Sequence, residues 1–162
     1  MTYRRHSLTR RSLIAATLAS AAVSPVSAFA RTPVKTSSHK GAGYMQIRCA
    51  FDDQTFTVTL DDNPSARDFA SMLPLDLRIE DYSTNEKIAY LPRKLTEEGS
   101  GPFSNESAGD FCYFAPWGNL VFYHAGYPYW KGLIRLGRLD GGVTPLLKRG
   151  KFPLRIEIVS RP

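Results

Sequence analysis

The residues that could do chemistry are few in this 162-residue chain. Three histidines occur, His6, His39 and His124, and only His124 falls in a stretch patterned to fold. A histidine acting as general base needs an orienting carboxylate and a reacting group beside it. No Ser, Cys or Asp stands at a telling distance from His124, which therefore reads as a half-exposed side chain at a strand end. A thiol pair of Cys112 with His124 is the weaker alternative. The two cysteines, Cys49 and Cys112, both lie in strand-like runs and read as small buried apolar residues, with a disulfide as the alternative in an oxidising compartment. One folded-region histidine and two separated cysteines do not supply three or four metal ligands. The acid pairs Asp52-Asp53, Asp61-Asp62 and Glu97-Glu98 sit in turns, where solvation accounts for them. Phosphate-loop, dinucleotide and nucleophile-elbow motifs are missing from the sequence, so neither a cofactor nor a catalytic residue is expected.

What remains is an aromatic set between Asp110 and Gly142. Phe111, Tyr113, Phe114 and Phe122 stand in strand-like runs and are expected in a core. Trp117, Tyr123, Tyr127, Tyr129 and Trp130 stand in or beside turns, which seldom supply a wall to bury them. Trp117 and Trp130 are thus expected to line a concave apolar site, with Asn119, Tyr129 and Arg135 as its polar contacts. The competing reading makes both tryptophans caps on the ends of the fold.

The elements that must hold these residues are mostly strands. Met45, Ile47, Cys49 and Phe51 alternate with polar or small residues, and after Asp52-Asp53-Gln54 so do Phe56, Val58 and Leu60, giving a hairpin with one dry face. Asn63-Pro64 opens a short helix whose stripe is Ala66, Phe69, Ala70 and Leu73, ended by Pro74. Leu75, Leu77 and Ile79 mark a third strand and Lys87 to Leu91 a fourth. Residues 92–108 read as a long loop. The aromatic block and a last strand over Leu154, Ile156 and Ile158 complete the chain. A helix this short is not stable alone and must plug or cover a sheet. A last strand able to pair with the first predicts a closed or nearly closed β-barrel, mostly β, whose closure removes exposed edges.

The first thirty residues read as an export signal: Arg4, Arg5, Arg10 and Arg11, then an apolar stretch from Leu13 to Val23, then Ala28-Phe29-Ala30. Thr9-Arg10-Arg11-Ser12-Leu13-Ile14 resembles the twin-arginine motif, with a general secretory signal as the alternative. The apolar stretch is shorter than the roughly 20 residues that span a bilayer, so no stable membrane insertion is expected after its removal. Residues 31–43 read as a flexible tether and 44–162 as the domain. The whole chain carries +6, but taking four arginines from its 21 Lys+Arg leaves 17 basic residues against 15 acidic, so the charge gives no reason to expect nucleic acid. The expected location is the bacterial periplasm.

The order of hairpin, Asn63-Pro64-led helix ending in Leu73-Pro74, strand, long loop, Gly109 to Asn119 with its Ala115-Pro116-Trp117-Gly118-Asn119 segment, and Gly132 to Leu139 resembles the bacterial cyclophilin-like family of small β-barrel domains. The resemblance covers about residues 45–160 and implies the cyclophilin fold. True cyclophilins are prolyl isomerases whose catalytic arginine lies in a Phe-rich strand leading to a Gln-Gly-Gly turn. Here Lys87 to Lys94 contains no such turn, and Arg93 is the one residue that could stand in. Trp130 resembles the tryptophan of their proline pocket, but the loop around it is not matched. The resemblance therefore transfers the fold and not the isomerase activity. Three readings of function follow: a binding module for a small apolar or peptide-like ligand, an interaction module for another exported protein, and a divergent prolyl isomerase or folding helper.

Overall fold

Alternation of apolar and polar residues fixes which side of each strand faces inward, and the computed structural model rolls those dry sides around one core. It describes residues 45–159. The expected signal, the tether and the start of the domain at Tyr44 lie outside the described residues. Eight strands form a closed antiparallel barrel: β1 (Gln46–Phe51), β2 (Gln54–Leu60), β3 (Leu75–Tyr82), β4 (Glu86–Tyr90), β5 (Asp110–Phe114), β6 (Asn119–Tyr123), β7 (Leu133–Leu139) and β8 (Lys151–Ile158). Their order around the barrel is β1-β2-β7-β5-β6-β4-β3-β8, and β8 returns to pair with β1 from Ile47↔Ile158 to Phe51↔Leu154. The single α-helix among the described residues, α1 (Pro64–Ala70), follows β2, and a short 3-10 helix, η1 (Thr144–Leu147), precedes β8. The mostly-β closed barrel with one short helix is what the sequence led us to expect.

Local chemistry explains the joints. Asn63 caps α1, its Oδ1 accepting from Ala66 N–H at 2.8 Å, and Pro64 takes the first helical position. Leu73, expected on the helical stripe, falls beyond the helix. Its N–H and that of Met72 bond three residues back, to Ala70 and Phe69, and the Leu73–Pro74 peptide is cis. A residue preceding proline is disfavoured in the α conformation, so the helix stops short. Met45, expected on the dry face of the first hairpin, lies just before β1 and is exposed. Pro153 sits inside β8 but past the end of its pairing with β1, where a missing N–H disrupts least.

Inside the barrel are Ile47, Cys49, Phe51, Val58, Phe69, Phe111, Tyr113, Leu120, Phe122, Leu136 and their neighbours. Phe111 stacks at a tilt on Phe122 (4.9 Å) and meets Phe69 of α1 edge-on (5.4 Å), so the helix plugs the core with an aromatic contact. One inward residue is charged. Lys87, fully buried, places Nζ 2.7 Å from Asp81 Oδ1 and 5.6 Å from the centre of the Phe51 ring. Burial pushes the Asp81 carboxyl up, but Lys87, the Gly150 N–H and Arg149 outweigh it and hold the group below its ordinary range.

A second, smaller apolar cluster forms on the outer side of the wall: Ile88, Cys112, Val121, Tyr123, Tyr127 and Leu133. Strands β4, β5 and β6 are therefore covered on both faces, and along them alternate residues enter the two clusters. Cys49 and Cys112 fall into different clusters, one inside the barrel and one outside it, and both thiols are free. Burial pushes both thiols well above their ordinary range.

Candidate functional site

The outer faces of β4, β5 and β6 form the floor of a cavity of about 390 Å³, a size suited to a small ligand. Ile88 of β4, Phe114 of β5 and Val121 and Tyr123 of β6 supply its apolar floor. The β3–β4 hairpin brings Tyr82 to one side, and the segment before β7 brings Tyr127 and Trp130 to the other.

Two turns hold the tryptophans. β5 and β6 are joined through Ala115-Pro116-Trp117-Gly118, where the N–H groups of Trp117 and Gly118 both bond to the Phe114 carbonyl (3.2 and 2.9 Å). Gly118 adopts φ +73°, a left-handed conformation that glycine takes without penalty. This folds Trp117 back over the outer face, edge-on to Phe114 at 5.6 Å and to Tyr82 at 5.4 Å. Trp130 accepts at its carbonyl from Leu133 N–H (2.9 Å), and the Gly132 carbonyl accepts from Ala115 N–H (2.9 Å). At Gly132, φ is +88° and an added Cβ would stand 2.8 Å from Pro116 Cδ, so the two tryptophan-bearing segments touch where only glycine fits. Both tryptophans stay open to solvent, Trp117 at 50 % and Trp130 at 61 %. Both line the cavity.

Deeper in, Tyr123 and Tyr127 stack face to face with centroids 3.4 Å apart. The Tyr127 hydroxyl donates to Asp110 Oδ2 at 2.6 Å and lies 3.8 Å from Cys112 Sγ. Asp110 is fully buried and also accepts from Ser107 N–H (3.0 Å). Arg138 Nε lies 2.7 Å from Asp110 Oδ1, a charge contact without the angle of a hydrogen bond. Burial, with the neighbouring Cys112 and Asp110, pushes the Tyr127 hydroxyl far above the range of a titrating group. These groups anchor the wall from behind.

Asn119, 1 % exposed, is part of the cavity wall. Its Nδ2 donates to the Leu120 carbonyl at 3.0 Å, which fixes the amide's orientation, and its Oδ1 has no hydrogen-bond partner among the described residues. Among the described residues, half-buried Glu86 is the only charged one lining the cavity. Burial raises its carboxyl above the ordinary range, partly offset by a hydrogen bond from Tyr123.

Of the residues singled out in the sequence, Trp117, Asn119 and Trp130 meet at this cavity. Tyr129, Arg135 and Arg93 do not line it. Tyr129 turns away to pack edge-on against Phe103 of the long loop at 5.5 Å. Arg135 lies on β7, beyond β5 in the strand order, and faces a second, more polar cavity of about 270 Å³. There its guanidinium bonds Asp61 at 3.0 Å and Asn105 at 3.1 Å and stacks over Phe103. Arg93 is clamped by Asp68 of α1 through two hydrogen bonds (2.6 and 3.1 Å), which ties the long loop to the helix. Tyr82, Glu86 and Tyr127 were not anticipated as cavity residues. Tyr82 and Glu86 flank a turn that looked merely connective, and nothing in a single sequence said that β4 buries both faces.

His124 follows β6 directly and is part-buried. Burial and the charges of Arg149 and Lys87 lower its pKa, and its Nε2 has no hydrogen-bond partner among the described residues. Cys112 contacts Tyr127, not His124. Among the described residues no group of three or more His, Cys, Asp or Glu is placed to hold a metal ion, and no helix is long and apolar enough to cross a membrane.

The described residues thus form an antiparallel eight-stranded barrel plugged by one helix, with a cavity on its outer wall. The model of the cyclophilin-like family matches residues 49–157, and the chain belongs to that family. A search of curated proteins found no match. Among solved structures, the chain is similar to the hypothetical protein AF2241 from Archaeoglobus fulgidus, known from a solution structure, at 14 % identity and a TM-score of 0.50 over 75 % of this chain and 99 % of that one. At that identity the likeness concerns the fold alone.

Proposed function

We propose that this cyclophilin-like domain is a non-catalytic binding module that takes a small apolar or peptide-like ligand in the outer-wall cavity, after export of the chain to the periplasm. The observation that carries the binding reading is the pair of half-exposed tryptophans, held over an apolar floor by turns with glycines at positive φ, of which Gly132 leaves no room for a side chain. Holding large apolar rings in water is unfavourable unless something covers them. The cavity also lacks a group suited to catalysis. Its one carboxylate has Tyr123 as partner, the hydroxyls of Tyr123 and Tyr127 are committed as donors, and Arg93, the residue that could stand for a cyclophilin's catalytic arginine, is bound to α1 instead. The export reading rests on the paired arginines Arg10-Arg11 followed by a short apolar stretch.

The test is a ligand screen read by tryptophan fluorescence and thermal shift. Compounds that quench or shift emission should raise the melting temperature, and Trp117→Ala or Trp130→Ala should abolish both signals. If no compound binds and the two variants only lower stability, the module is not a receptor for small ligands. A protein seated on the same aromatic rim would then appear as co-purification that is lost in Trp117→Ala. Turnover of a prolyl peptide by the pure domain, abolished by Arg93→Ala, would instead establish an isomerase.

A further inference from the structure

The polar groups of the outer-wall cavity are unequally spent. The donors of its buried and half-buried lining residues are given away within the protein, while those of Tyr82, Ser83, Trp117 and Trp130 stand at the solvent-exposed rim. The Tyr127 hydroxyl goes to Asp110 (2.6 Å), Asn85 Nδ2 to the Gly126 carbonyl (3.2 Å), Asn119 Nδ2 to the Leu120 carbonyl (3.0 Å), and the Tyr123 hydroxyl to Glu86. Its acceptors are not. Asn119 Oδ1 is buried without a partner. The Glu86 carboxylate has one hydroxyl donor and no lysine, arginine or histidine among the residues that line the cavity with it. A buried acceptor left unpaired costs free energy that a ligand's donor would recover. Among the described residues, an anionic ligand would meet a carboxylate and no cation here.

The walls add a second preference. Tyr82, Trp117 and Trp130 stand around the opening, and the stacked Tyr123–Tyr127 pair lies behind. The faces of aromatic rings carry partial negative charge and attract a cation, most strongly at tryptophan and most strongly when water is excluded. An aromatic enclosure with a single carboxylate and an unfilled carbonyl is complementary to a positively charged nitrogen on an apolar frame.

We propose that the cavity selects small organic cations, amines or methylated ammonium groups, with Glu86 as the counter-charge, Asn119 as an acceptor and Trp117 and Trp130 as the cation-facing rings. This rests on the binding reading above and narrows it from apolar ligands in general to cationic ones. The experiment compares a cation with its neutral counterpart of the same shape. Choline and 3,3-dimethylbutanol form such a pair, titrated against the full chain by tryptophan fluorescence and calorimetry, with wild type, Glu86→Gln and Trp117→Ala measured side by side.

The expected result is that choline binds at least tenfold more tightly than the alcohol. Glu86→Gln should weaken choline by about tenfold and leave the alcohol unchanged, and the choline affinity should fall as salt is added. Equal binding of the two probes, or a choline affinity untouched by Glu86→Gln, overturns the cationic preference while the binding module stands. Binding of neither probe overturns the cationic preference too; the binding module itself falls only if the wider screen is also empty. Glu86→Gln is checked for an unchanged melting temperature, and Trp117→Ala reports whether both probes use this cavity.

Discussion

Replacing Trp130 by alanine separates a cavity wall from a structural cap by the size of the stability loss. Trp130 is 61 % exposed, so roughly two-fifths of its side chain is covered. A tryptophan that is fully buried removes on the order of 200 Å² from water, so about 80 Å² is at stake here. At ~25 cal/mol per Å² that amounts to about 2 kcal/mol, an upper bound because the unfolded chain already hides part of its surface. Phe122, fully buried between Phe56 and Phe111, gives the contrast. Cutting it to alanine leaves a cavity in the core, a change that costs about 3–5 kcal/mol. Urea denaturation of both variants, compared at an unchanged m-value, reads the two numbers directly. We expect Trp130→Ala to lose no more than about 2 kcal/mol and Phe122→Ala clearly more. If Trp130→Ala costs as much as Phe122→Ala, the ring is a keystone of the fold and the argument from its exposure fails.

Three further predictions follow from the packing. Gly137 lies where β7 meets β2, and an added Cβ would stand 2.3 Å from the Thr59 carbonyl oxygen and 2.9 Å from Leu60 Cα. Because that seam is held by three residue pairs, Gly137→Ala should destabilise by on the order of 3 kcal/mol or more, and a wild-type denaturation curve would contradict the register. The Arg93 hydrogen bonds, followed by the Thr96 N–H, hold the Asp68 carboxyl below the ordinary range. A depressed carboxyl contributes stability above its unfolded pKa and loses it as pH falls through the folded value. Acid should therefore destabilise Arg93→Ala less steeply than wild type, and identical pH profiles would show the clamp to be idle. Cys49 and Cys112 are buried on opposite sides of the barrel wall. Neither should react with a thiol reagent in the native state and both should react in urea; rapid native labelling or a recovered Cys49–Cys112 disulfide would refute this placement.

The barrel was legible because its inward residues keep a period of two. β1 and β2 alternate cleanly from Ile47 to Leu60, and β8 repeats the pattern at Leu154 and Ile156. The Asn63-Pro64 cap announced the helix, though the stripe overran it to Leu73 because a periodicity does not register what a following proline forbids. The middle of the sheet was harder. In β4, Ile88 faces outward and Lys87 inward, the reverse of what polarity suggests. Lys87 is tolerated because Asp81 lies directly across from it in the ladder, a pairing visible only once the register of β3 and β4 is known. Ile88 is covered because residues Tyr123 to Leu133 return over the outer wall.

The same reason divided the expected site. Trp117, Asn119 and Trp130 are close in sequence and meet at one cavity, whereas Arg135 and Tyr129, equally close in sequence, are carried away to Asp61 and Phe103. Strand alternation and the placement of β7 beyond β5 send neighbours to different surfaces. Glu86 and Tyr82 reach the cavity from thirty-odd residues before Trp117 and forty-odd before Trp130, a separation at which the sequence shows no contact.

The most direct test of the account is to crystallise the domain and soak it with aromatic and amine fragments. The account predicts that fragments settle on the outer wall between Trp117 and Trp130, above Val121 and within reach of Asn119 and Glu86. Fragments gathered instead at the polar cavity beside Arg135, with the Trp130 ring folded down to fill its own site, would contradict it.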